Sequence, residues 1–111
     1  MHKTPTYSAQ EVFEAFLYME NSRGRHEWKM YDERIHTAFH EVSEYSADLQ
    51  EYEFTKLKPH TSSTLLKMFS DYRKSGILVA EKEFLMLRNT EPLEEPCDEL
   101  IDTTGEICDL L

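Results

Sequence analysis

Apolar residues recur at helical spacing over most of the chain, and polar clusters between them mark where elements end. Val12, Phe13, Phe16 and Leu17 make one apolar face. Ser8, with Glu11 three residues on, predicts a capping box at its start, each side chain satisfying the other's backbone N–H. Tyr7 and Val12 hold the two staple positions around that cap, and Asn21-Ser22-Arg23-Gly24 predicts the stop. A longer periodic stretch follows. Trp28, Tyr31, Ile35, Ala38, Phe39, Val42, Tyr45 and Leu49 recur at three- and four-residue steps and predict one helical stripe. Ser46 is placed to cap a separate short helix around Ala47 to Glu53, and Pro59 ends helical character before the next element.

Thr61-Ser62-Ser63 supplies cap residues for a third helix. Its Leu65, Met68, Phe69 and Tyr72 face inward, while Ser63, Lys67, Ser70 and Lys74 share the opposite side. Gly76 stands where a left-handed helix stop favours glycine. Two short apolar runs come next, Ile77-Leu78-Val79-Ala80 and Phe84-Leu85-Met86-Leu87, separated by Glu81-Lys82-Glu83. As a helix they would surround the axis with apolar groups; as two strands with a polar turn they make a compact hairpin, the reading favoured here.

Charge divides the chain. Its 111 residues carry a net charge of -10, yet residues 91–111 hold eight acids and no Lys or Arg, leaving 14 acids against 12 bases in residues 1–90. Between Phe54 and Ser75 the balance reverses: Lys56, Lys58, Lys67, Arg73 and Lys74 face a single acid, Asp71. Overall acidity therefore does not exclude nucleic acid as a partner of the body. Length and composition allow one domain, residues 1–90, with an acidic–hydrophobic appendage at 91–111. No apolar run approaches a membrane span and the N-terminus lacks a signal-peptide stretch, so a cytoplasmic protein is expected. Cys97 and Cys108 are then expected as reduced thiols.

The stretch Ser63-Thr64-Leu65-Leu66-Lys67-Met68-Phe69, then Tyr72-Arg73-Lys74-Ser75-Gly76-Ile77-Leu78, resembles a recognition helix running into the first wing strand of a winged helix-turn-helix domain. It is similar in pattern to bacterial activators of the cyclic-nucleotide-responsive type over residues 61–89. With the helices read above, the resemblance implies a mainly α fold with a small β-hairpin, a winged-helix-like body of about three helices; the acidic–hydrophobic composition of residues 91–111 predicts a largely disordered C-terminal tail after it. The resemblance also implies that Ser63, Thr64, Lys67 and Ser70 face base edges, with Lys56, Lys58, Arg73 and Lys74 as the surrounding basic contacts to double-stranded DNA. The bland alternative is a solvated helix face.

Catalytic motifs are missing. Three glycines cannot build a phosphate loop or a dinucleotide fingerprint, and no G-x-S-x-G elbow occurs. His36 and His40, four residues apart with Glu33 and Glu44 in the same row, could present ligands to zinc, but the row is expected on the solvated side without a second shell. No enzyme, metal, cofactor, membrane or small-molecule substrate is expected. In the tail, Leu100, Ile101, Ile107, Asp109, Leu110 and Leu111 are the candidate partner-binding residues, on the pattern of acidic segments that order on a protein partner. The other reading packs these apolar residues on the domain. Two functions follow: a small DNA-binding transcription regulator whose tail recruits a partner or shields the basic face, or an acidic adaptor or inhibitor that acts on a nucleic-acid-binding partner. The second would use Glu33, Glu41, Glu44 and Asp48 together with the tail.

Overall fold

The computed structural model describes residues 7–88 and 93–111. Helix α1 (Ala9–Ser22) begins at Ser8 with the expected capping box and ends at Arg23, followed by Gly24 at φ 83°. Strand β1 (Glu27–Trp28) precedes helix α2 (Glu33–Ser43), and a 3-10 turn spans Ala47–Leu49. Helix α3 (Ser63–Ser75) leads into strands β2 (Leu78–Glu81) and β3 (Phe84–Leu87), and helix α4 (Asp98–Asp109) follows. The protein is thus mainly helical with a three-stranded antiparallel sheet, ordered β1-β3-β2. No helix among the described residues is long and apolar enough to cross a membrane.

The two apolar runs form the hairpin. Leu78 pairs with Leu87 and Glu81 with Phe84, so the turn proper is Lys82-Glu83, with Lys82 in the left-handed region at φ 57°. The predicted helix from Trp28 to Leu49 is broken instead. Trp28 belongs to β1, where it pairs with Leu85, and Asp32 caps a shorter α2 by accepting from the Arg34 N–H at 2.9 Å. That Asp32 carboxyl is held below the ordinary range: burial opposes the shift, but the Arg34 guanidinium and backbone N–H outweigh it. Tyr31 and Tyr45 fall outside the helix and are 74% and 67% exposed, so neither belongs to the core stripe.

Aromatic rings knit the core around α1. Phe13 meets Phe69 edge-on at 4.9 Å and Tyr72 at 5.0 Å, which joins α1 to α3. Phe16 meets Phe39 at 5.1 Å, which joins α1 to α2, and Phe39 lies 5.3 Å from Tyr52. The Tyr52 hydroxyl donates to the Ala9 carbonyl at 2.7 Å, and Glu51 accepts the Ala9 N–H at 2.8 Å. Segment 51–52 is thereby tied to the start of α1.

The expectation of a largely disordered tail is corrected. Residues 98–109 are helical, and α4 packs on α1 and α2. Pro96 lies just before the helix and so does not interrupt it, while Asp98 and Glu99 sit in the first turn, where the helix dipole favours acids. Leu100, Thr103, Thr104, Ile107 and Cys108 recur at helical spacing and are buried. Of the two readings of this segment, packing on the domain is the one that Leu100, Ile107 and Cys108 follow.

Gly105 lies inside α4 and is buried. A Cβ there would meet only the flexible ends of Arg23 and Met19, each at 3.7 Å. Gly105→Ala is therefore expected to stabilise the fold by about 0.5–1 kcal/mol, read as a raised urea midpoint. A lowered midpoint would mean that the α1–α4 contact is tighter than this geometry.

A buried polar network closes the same interface. Glu20 is 1% exposed; its carboxylate accepts the Trp28 indole N–H at 3.0 Å and the Arg25 Nε–H at 2.9 Å. Arg25 also donates to the Cys108 carbonyl at 3.1 Å, so α1, β1 and α4 meet at one ion pair. Burial, and then the Glu20 carboxylate, push the Cys108 thiol up to about 12. Cys97 is exposed and Cys108 buried, both as free thiols. With a disulfide-forming aromatic reagent at pH 8, one thiol per native chain should react quickly and the second only after unfolding. Two fast thiols in the native protein would contradict this placement of Cys108.

Candidate nucleic-acid interface

Helix α3 is fixed at both ends, which determines what its outer side presents. At its start the Ser62 hydroxyl accepts from the Leu65 N–H at 3.1 Å, and Ser62 is fully buried. Its own N–H donates to His36 Nδ1 at 3.0 Å, while His36 Nε2 donates to the Met30 carbonyl at 2.9 Å. This pair of bonds assigns the neutral Nε2–H form of the ring. His36 was expected on the solvated side; it is 2% exposed and acts as a brace between α2, the β1–α2 connection and the α3 cap. Both ring nitrogens are thus engaged with backbone, which leaves neither for a metal alongside His40. Gly76 ends α3 at φ 88°, in the left-handed conformation, and the chain turns directly into β2.

With Leu65, Met68, Phe69 and Tyr72 buried, the other side of α3 faces outward. Ser63, Lys67 and Lys74 are exposed on it, Ser70 is half-buried in the same row, and Arg73 is exposed at one flank. Lys67 donates to Asp71 at 2.7 Å across one helical turn. Thr64 is drawn inward: its hydroxyl donates to the Glu51 carbonyl at 3.3 Å and accepts the Glu53 N–H at 3.1 Å. That hydroxyl serves the α3 start rather than an outer contact.

The connection before α3 adds Lys56 and Lys58. Phe54 bridges Ser62, and Thr55 organises the loop between them. Its N–H donates to the Thr61 carbonyl at 2.9 Å, its hydroxyl accepts the Thr61 N–H at 2.9 Å, and its carbonyl accepts from His60 at 2.7 Å. His60 in turn stacks on His40 of α2 with ring centroids 3.8 Å apart. Lys56 and Lys58 project from this braced loop, both exposed, beside Leu57 at 82% exposure.

The candidate partner-binding residues divide. Leu100 and Ile107 are core residues at 5% and 0% exposure, committed to the fold. Ile101 and Leu111 are half-buried, Leu110 is 49% exposed, and exposed Asp109 pairs with Arg23 at 2.6 Å. Asp48, counted above on an acidic surface, is buried and accepts from the Thr103 hydroxyl at 2.6 Å. Glu99, Asp102 and Glu106 do point outward from α4, and Glu106 accepts from the Tyr45 hydroxyl at 2.6 Å. Helix α4 thus carries five acids and no Lys or Arg, while α3 and the loop before it carry five bases and one acid, Asp71.

One feature near α3 had no signal in the one-dimensional pattern. A groove of about 430 Å³ lies among the end of α3, the hairpin and the β1–α2 connection. Its lining is non-local, which is why helical spacing does not reveal it. No protein family, curated protein or solved structure with which the chain was compared matches it.

Proposed function

We propose that the protein is a small non-enzymatic regulator that binds double-stranded DNA through the outer side of α3, in the manner of a winged helix-turn-helix domain. The observation that carries this reading is the pairing of a braced, outward-facing helix with the excess of bases over acids between residues 54 and 75. Ser63, Lys67, Ser70 and Lys74 supply the helix row, and Lys56, Lys58 and Arg73 flank it. The hairpin that follows Gly76, widened to three strands by β1, would serve as the wing. In this reading Lys67 and Ser63 approach base edges while the flanking cations meet phosphates.

Shielding of this row by a loose acidic tail is not part of the proposal, because the apolar side chains of α4 are packed on α1 and α2. The acids of α4 instead repel DNA from their own side of the molecule and set its orientation on approach. An acidic adaptor would use that α4 side and would need no contact by Lys67.

Fluorescence anisotropy with random duplex DNA separates the two. Affinity should fall steeply with salt, Lys67→Glu should weaken binding about tenfold or more, and Lys56→Gln, at a phosphate contact, should flatten the log–log salt slope by roughly 1. Unchanged affinity in the Lys67→Glu variant, with its far-UV circular dichroism intact, would remove α3 as the contact.

A further inference from the structure

The groove beside α3 combines an apolar lining with three bases, Lys29, Arg73 and Lys82, and two acids, Asp32 and Glu83. Met30, Tyr31, Ala80, Phe84 and Leu85 line it, and Arg73 and Lys82 stand at its edges. Its other charges are already engaged. Lys29 pairs with Glu83 at 3.3 Å and lies 5.3 Å over the Phe84 ring, and Asp32 pairs with Arg34 at 3.1 Å. Arg73 and Lys82 are exposed, and neither forms an ion pair among the described residues.

We infer that this groove binds a small amphipathic anion, an aromatic carboxylate, with its ring over Met30 and Leu85 and its charge between Arg73 and Lys82. The volume, about 430 Å³, is in the range of small-molecule sites. A guanidinium suits a carboxylate because its planar fork can give two parallel hydrogen bonds. Tyr31, 74% exposed at the groove's edge, offers a ring face to the ligand. A phosphodiester of duplex DNA fits this place less well, since it brings charge without an apolar body to cover the lining. A bound carboxylate would neutralise Arg73 and so weaken DNA contact; that consequence rests on the proposed DNA reading, whereas the binding itself does not.

The test uses the full chain and no DNA. 1-Naphthoate is titrated by isothermal calorimetry and by methyl and aromatic NMR, beside neutral 1-naphthalenemethanol and an acidic peptide, Asp-Glu-Phe-Glu-Asp. The expected result is saturable naphthoate binding with shifts at Met30 and Phe84. Tenfold or greater weakening is expected for the neutral analogue and for the double variant Arg73→Gln, Lys82→Gln. No saturable binding, equal affinity in the double variant, or shifts located elsewhere would overturn the inference. Peptide binding without naphthoate binding would also overturn it and make the groove a peptide site. Because no DNA is present, these outcomes are independent of whether α3 binds a duplex.

Discussion

A chain ended after Glu95 is expected to lose its cooperative unfolding transition altogether. The truncation removes α4 and with it Leu100, Ile107 and Cys108, at 5%, 0% and 1% exposure. Burying a Leu or Ile side chain is worth roughly 1.5–3 kcal/mol, and the side of α1 left bare by the helix is lost from the core as well. The Arg25 bond to the Cys108 carbonyl and the Thr103 bond to buried Asp48 go too, the second leaving a carboxylate short of a partner. These losses together exceed about 5 kcal/mol, the lower end of the total stability of a domain. Urea unfolding followed by circular dichroism checks this. A truncated chain that still melts cooperatively near the full-length midpoint would show that α4 is an appendage. Weak DNA binding by such a truncation would therefore report the loss of the fold and not the loss of a contact.

Glu20→Ala is the single substitution expected to cost most, about 3–5 kcal/mol. It removes one carboxylate that serves two donors. The Trp28 indole N–H, in a residue 3% exposed, loses its acceptor, and Arg25 loses its countercharge at 2.8 Å. Arg25 keeps 41% side-chain exposure and can turn to water, so the unpaired indole and the cavity account for most of the cost. Glu20→Gln retains an acceptor for Trp28 and should lose distinctly less. A drop of roughly 15 °C in Tm for the alanine variant, with a smaller drop for the glutamine, is expected by thermal melting. Equal effects of the two would place the cost in charge alone, and no effect would contradict the buried network.

How much of this could be read from the chain varies with the type of signal. The start of α1 and the end of α3 were plain, because a capping box and a helix-ending glycine are local chemistry. The hairpin was recognised from two apolar runs around Glu81-Lys82-Glu83, although the turn lacked an Asn-Gly pair. Trp28 was misplaced because its spacing to Tyr31 and Ile35 mimics a helix, whereas its partner in the sheet, Leu85, is far along the chain. The helix α4 was hidden by composition. Thr103, Thr104 and Gly105 do not look like core residues, yet small side chains are what allow the helix to lie against α1 and α2. His36 was misjudged for a related reason: its partners, the Ser62 N–H and the Met30 carbonyl, are backbone groups that no side-chain pattern displays. For the candidate interface, the row Ser63, Lys67, Ser70 and Lys74 was visible in the periodicity. The inward tie of Thr64 was not, because it depends on where segment 51–53 folds.

The central claim is that DNA meets the outer side of α3, and the most direct measurement is an NMR footprint. Amide spectra of the labelled full chain would be recorded with a random duplex at low salt and again at moderate salt. The account predicts shifts concentrated on residues 56–74, strongest around Ser63 and Lys67, that fade as salt rises, with α4 unmoved. Shifts centred on Glu99, Asp102 and Glu106, or none anywhere, would contradict it.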